Sequence, residues 1–135
     1  MIQFGISMDK RFYVSSGNSY AGEKGTTATV DLPDMLGGVA LSAFDAGAVY
    51  AKYGTSGSEE YAEIELAALT GVQSIDIPDA VLAVAGTVIF WAEFTADSGN
   101  VVQKTALLPY IVGASETYSA PEQAPAENNG GGGEE

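Results

Sequence analysis

Glu59, Glu60, Glu63 and Glu65 crowd titratable groups into a short stretch, and any acid-base chemistry in this chain would draw on them first. Residues two apart on an extended strand point to the same side, so Glu63 and Glu65 would share a face, and paired carboxyl groups are the working parts of a glycosidase. Alternation on a solvated strand face accounts for the same four residues without chemistry. The chain has no histidine and no cysteine, which removes the commonest general base, the thiolate nucleophile and the preferred ligands of transition metals. No catalytic residue, metal ligand or cofactor site is assigned, and the expectation is a protein that is not an enzyme.

A second group with chemical potential is "TADSGN" at 95–100, where Asp97, Ser98 and Asn100 surround Gly99. These oxygen donors suit a hard cation such as calcium, but the spacing and terminal glutamate of an EF-hand loop are missing. The same residue types build a hairpin turn, and the turn is the simpler reading.

The elements that would position these groups are strands. "TTATVDLP" (26–33) places Ala28, Val30 and Leu32 on one side and Thr27, Thr29 and Asp31 on the other, the period of a half-buried strand. "EYAEIELA" (60–67) repeats the pattern with Ala62, Ile64 and Leu66 inward and Tyr61, Glu63 and Glu65 outward. Shorter candidates lie at 2–7, 11–15, 48–53 and 72–77. Between them, "PDAVLAVAG" (78–86) reads as a short helix, with Pro78 at its first position, Asp79 in the first turn and Gly86 at its end. "DLPDML" (31–36) and "DIPDAV" (76–81) reuse one way of ending a strand.

The stretch 87–95 alternates Val88, Phe90, Ala92 and Phe94 with Ile89, Trp91 and Glu93, then turns through 97–100 and resumes as a strand at Val101. Pro109 cannot donate to a ladder, which puts the last strand at a sheet edge or a bulge there. If Phe90 and its partners fill the core, Ile89 and Trp91 face the other way, where a small domain standing alone is polar. Either the domain's own loops cover them or another subunit does. Ile89 and Trp91, with Tyr50, Tyr53 and Tyr61, are the candidate interface residues, since large aromatics anchor interfaces.

About seven or eight short strands at intervals of roughly 10 to 15 residues with one short helix indicate an all-β, immunoglobulin-like antiparallel β-sandwich over residues 1–113. A small jelly roll or an open barrel would fit the same count. The chain is 135 residues long, 46% hydrophobic and 17% charged, enough for one core and not for two. Residues 114–135, rich in Pro, Ala, Gly and Glu, are expected to form a flexible acidic tail, either an inert solvated end or a tether. Eighteen acidic residues against five basic ones give a net charge of −13, which argues against nucleic-acid partners and against anionic membrane surfaces. The longest apolar run, 80–92, is interrupted and too short to span a bilayer, and the amino terminus has no secretory signal pattern.

"SIDIPDAVLAVAGTVIFWAEF" followed by "DSGNVVQKTALLPYIV" resembles the closing half of immunoglobulin-like domains in bacteriophage tail and baseplate proteins, in particular the amino-terminal domain of baseplate upper proteins. The likeness runs best over 71–112 and more faintly back to Gly25. It implies a structural and assembly module of a phage particle, in the tail, the baseplate or as a capsid decoration protein, made in the cytoplasm of a bacterial host and located in the virion. Its partners would be other virion proteins or copies of itself, as a homo-oligomer in the assembled particle. That family continues into a fibre or coiled-coil region, where this chain has its tail. The alternative is an adhesion module that binds carbohydrate or protein through exposed aromatics and acceptors such as Glu93, Asp97 and Asn100. An unpacked tail adds little to folding. Removing residues 119–135 is therefore expected to leave the thermal midpoint unchanged in a melting experiment, and a loss of several degrees would show that the tail docks.

Overall fold

The computed structural model describes residues 1–116, so the expected tail lies outside the described residues from Thr117 onward. The described chain is all-β. Its strands are β1 (Ile2–Ile6), β2 (Phe12–Ser16), β3 (Ser19–Tyr20), β4 (Thr27–Asp31), β5 (Met35–Leu36), β6 (Val39–Ala40), β7 (Ala46–Tyr53), β8 (Glu60–Glu65), β9 (Val72–Asp76), β10 (Gly86–Ala96), β11 (Val101–Lys104) and β12 (Leu108–Gly113). A four-stranded sheet runs β2-β1-β4-β9, and a six-stranded sheet runs β3-β12-β10-β7-β8 with β11 added beside β10. β5 and β6 form a small ribbon of their own.

One apolar core holds the two larger sheets against each other. Phe4 of β1 meets Phe90 of β10 at a ring distance of 5.0 Å, and Phe12 and Tyr110 close in on the same ring at 5.1 and 6.0 Å. Offset and edge contacts of this kind add to the burial of large rings. The alternation expected along 87–95 is followed residue by residue: Val88, Phe90, Ala92 and Phe94 are buried, while Ile89, Trp91, Glu93 and Thr95 are partly open. The two polar side chains buried in the described residues are satisfied. The Ser19 and Tyr110 hydroxyls are hydrogen-bonded at 2.8 Å, and Thr105 Oγ1 accepts the Ala92 N–H at 2.9 Å.

Two expectations are corrected. The sheets are mixed rather than purely antiparallel, because β1 pairs β4 in parallel and β12 pairs β3 in parallel. A parallel pair needs a crossover of a dozen or more residues, and the segment carrying β2 and β3 supplies it between β1 and β4. Nor does 78–85 form two turns of α-helix; a four-residue 3-10 turn, Asp79–Leu82, stands there. Pro78 is extended at φ −57°, ψ 139°, and the adjacent Val81 and Leu82 both point into the core, which suits a tight turn better than a helix face. The Asp79 carboxylate leaves its own turn uncapped and accepts the Gly25 N–H at 3.0 Å, tying the turn to the entry of β4.

The second arm of the expected hairpin is broken into two strands. β11 pairs Glu93–Ala96 and β12 pairs Gly86–Phe90, with Thr105 bridging the break through its hydrogen bonds to Ala92. Pro109 pairs across from Ile89, beyond the two β12 residues that reach β3, so it occupies a stretch of free edge. Gly47 is required by close approach: a Cβ there would sit 2.6 Å from Phe94 Cδ1 and 2.9 Å from Leu69 Cδ2.

Phe90→Ala is expected to cost about 3 to 5 kcal/mol, because it empties the centre of the core. Gly47→Ala should cost about 1 to 3 kcal/mol by forcing Phe94 and Leu69 aside. Denaturant unfolding of both variants measures these losses, and near-native stability of Phe90→Ala would contradict the core described here.

Candidate aromatic interaction face

Cross-strand register builds the outer face of the larger sheet. β7 lies between β10 and β8, and the pairs Trp91↔Tyr50 and Tyr50↔Glu63 put these three residues in one row. The next row toward the start of β10 holds Pro109, Ile89, Lys52 and Tyr61, and the next toward its end holds Lys104, Glu93, Ala48 and Glu65. Strands far apart in sequence thus deliver aromatic and acidic side chains to one surface.

Within these rows the Trp91 and Tyr50 rings stack at 5.6 Å with 15° between their planes, and Tyr61 meets Trp91 edge-on at 6.4 Å. Trp91 Nε1 donates to Glu93 Oε2 at 3.0 Å, and the Tyr50 hydroxyl donates to Glu63 Oε2 at 3.2 Å. Lys104 Nζ lies 3.6 Å from the same Glu93 oxygen. The Tyr50 and Trp91 rings are therefore held by hydrogen bonds at their polar edges, yet the cluster stays accessible: Tyr61 is 63% exposed, and Tyr50 and Trp91 are half-buried.

Beside the stack the face is concave. Ala48, too small to fill its place in the row, floors a hollow of about 520 Å³ walled by Tyr50, Glu63, Glu65 and Glu93 and closed at one end by the 66–70 segment. The Tyr50 hydroxyl is held above the ordinary tyrosine pKa, first by burial and then by the negative charges of Glu63, Glu93 and Glu65, with the hydrogen bond to Glu63 also favouring its neutral form.

Of the candidate interface residues, Ile89, Trp91, Tyr50 and Tyr61 share this face. Tyr53 does not: it falls on the other side of β7, where it packs partly against the core. Its odd position relative to Tyr50 carries that information, since side chains alternate along a strand. Ala48 and Lys104 belong to the face although their residue types alone do not mark them; only the register with β8, β10 and β11 brings them in, beside the Glu65 that alternation already placed outward with Tyr61.

Several of the groups weighed for chemistry take part in local hydrogen bonds. Glu63 accepts from Tyr50, and Glu59 accepts the Gly57 N–H at 3.3 Å in the turn before β8. Asp97 and Ser98 adopt left-handed backbone at φ 54° before Gly99 at φ 88°, and Asn100 Nδ2 donates to Asp97 Oδ2 at 3.4 Å, so these side chains serve the turn that joins β10 to β11. Among the described residues, no group of three or more acidic side chains is placed to hold a metal ion, and no helix is long and apolar enough to cross a membrane.

Two outcomes follow from this geometry. Trp91→Ala leaves the core intact and loses mainly the ring contacts, so it should cost about 0.5 to 1.5 kcal/mol in denaturant unfolding, well below Phe90→Ala. Because folding raises the Tyr50 pKa, the folded chain binds more protons than the unfolded chain once pH passes the ordinary tyrosine value of about 10. The contribution of this group to stability is complete below that value and is lost as pH rises through the raised one. Ultraviolet titration should show a late-ionising tyrosine that disappears in Tyr50→Phe. No protein-family model matches this chain, and a search of curated proteins finds no match to it.

Proposed function

We propose that this chain is a non-enzymatic assembly module of a bacteriophage particle, an immunoglobulin-like sandwich that joins another virion component through the outer face of its larger sheet. The observation that carries the contact reading is the Tyr50–Trp91–Tyr61 cluster, three aromatic rings gathered on an accessible strand face. Large aromatic side chains are typical interface anchors.

The strand pairing supports the immunoglobulin-like part of the reading. β4 pairs β9, and β10 lies between β7 and β12, as strand B pairs E and strand F lies between C and G in that fold. β8 beside β7 corresponds to the strand added in variable-type domains. The parallel β1–β4 pair stands outside that scheme, as does the lack of the inter-sheet disulfide in a chain without cysteine. The phage part of the reading rests on the resemblance of residues 71–112 to immunoglobulin-like domains of tail and baseplate proteins. A carbohydrate-binding adhesion module is the second reading, favoured by the Trp91–Tyr50 stack with carboxylate acceptors at both edges.

Immunogold labelling tests the proposal on density-purified particles made from the genome that encodes the chain. Label on the particles is expected, with marked loss when the chain carries Trp91→Ala. Label confined to the soluble fraction would overturn the virion assignment, and saturable binding of neutral oligosaccharides would favour the second reading.

A further inference from the structure

The aromatic face has a charge pattern that selects among partners. Its basic residues are Lys52 and Lys104, and Lys104 is drawn to Glu93. Among the described residues, neither Glu63 nor Glu65 has an ion-pair partner, and both line the hollow beside Tyr50. The whole chain carries −13, with 18 acidic and 5 basic residues. A second copy laid on this face would bring carboxylates toward carboxylates, and like charges brought together across an interface oppose association. Neutral partners would desolvate the two glutamates without supplying a countercharge.

We infer, resting on the reading that this face is the contact surface, that its occupant is an arginine-bearing segment of another protein. The geometry suits a guanidinium group in two ways. Its plane can lie against the Tyr50 ring, which lines the hollow and is backed by the stacked Trp91, and its fork of N–H donors can reach the Glu63 and Glu65 carboxylates across the Ala48 floor. A hollow of about 520 Å³ accommodates a long side chain and its backbone. Trp91 Nε1 and the Tyr50 hydroxyl are already committed to Glu93 and Glu63, and the two rings to each other, which leaves the Tyr50 surface that lines the hollow and the remaining carboxylate oxygens as the recognition surface. Lysine would supply charge but neither the fork nor the plane, so arginine is the better complement.

The sole tryptophan of the chain is Trp91, so its fluorescence reports on this face alone. The probe is an end-blocked Gly-Arg-Gly-Arg-Gly peptide, compared with the same peptide carrying neutral citrulline in place of arginine. A saturable change in Trp91 emission is expected for the arginine peptide, weakened about tenfold or more by citrulline, as charge-assisted bonds and cation–π contact are lost. Glu63→Gln/Glu65→Gln should weaken it to a similar degree. Asp31→Asn/Asp76→Asn, an equal charge change on the exposed side of the smaller sheet, should alter it by less than about twofold, since screening limits distant charges. Circular dichroism confirms that each variant is folded.

Equal binding of the citrulline peptide, or equal weakening by the remote pair, would overturn the inference, the second result marking general attraction to an acidic protein. Self-association that sedimentation shows to depend on Trp91 would overturn it in favour of a second copy. Particle labelling that depends on Trp91 without any response to the arginine peptide would also overturn it, while leaving the assembly proposal standing. A specific arginine response without particle labelling would support the site and remove the virion reading instead.

Discussion

The contact between Phe4 and Phe90 is where the two sheets become one structure. Phe90 is fully buried at the middle of β10, the longest strand, and β10 is hydrogen-bonded along both edges, to β7 on one side and to β11 and β12 on the other. Slipping its register by one residue would turn Phe90 and Phe94 to the outside and Trp91 and Glu93 to the inside. The inward set would then include a carboxylate with no buried partner, a cost the native arrangement avoids. Everything on the outer face of the larger sheet inherits its position from this choice.

The same constraint explains why the aromatic cluster is ordered without being buried. Trp91 is fixed at its backbone by its pairing with β7, at its ring by Tyr50 and at its polar edge by Glu93. Preorganised rings lose less freedom on binding than flexible side chains, which is the advantage of building a contact surface on strands instead of loops. Ala48 contributes by being small: the row it occupies dips, and the glutamates on either side become walls.

Several acidic side chains at the sheet ends serve local structure. The turn from β10 to β11 uses Asp97 and Asn100 for its own closure, and Asp45 Oδ2 accepts the Asp97 N–H at 3.1 Å from across the sheet end. Asp79 is spent on Gly25.

Strand period alone determined much of this protein. The alternations at 26–33, 60–67 and 87–95 are visible as lines of text, and they place Phe90 and Trp91 on opposite faces because side chains alternate whatever the partner strand is. What the tertiary structure decided is register, the matching of strands distant in sequence. Nothing local to Tyr50 says that it lies beside Trp91, whereas the turn of Tyr53, three residues on, to the other side of the sheet follows from alternation alone. The parallel partners of β1 and β12 and the break at Thr105 depend on where the chain crosses between sheets. The segment after Pro78 illustrates the same limit: helical signals are present, but burying both Val81 and Leu82 in a short connection favours a tight turn. Pairing energy is shared among many weak contacts across the sheet, so no single stretch of sequence contains it.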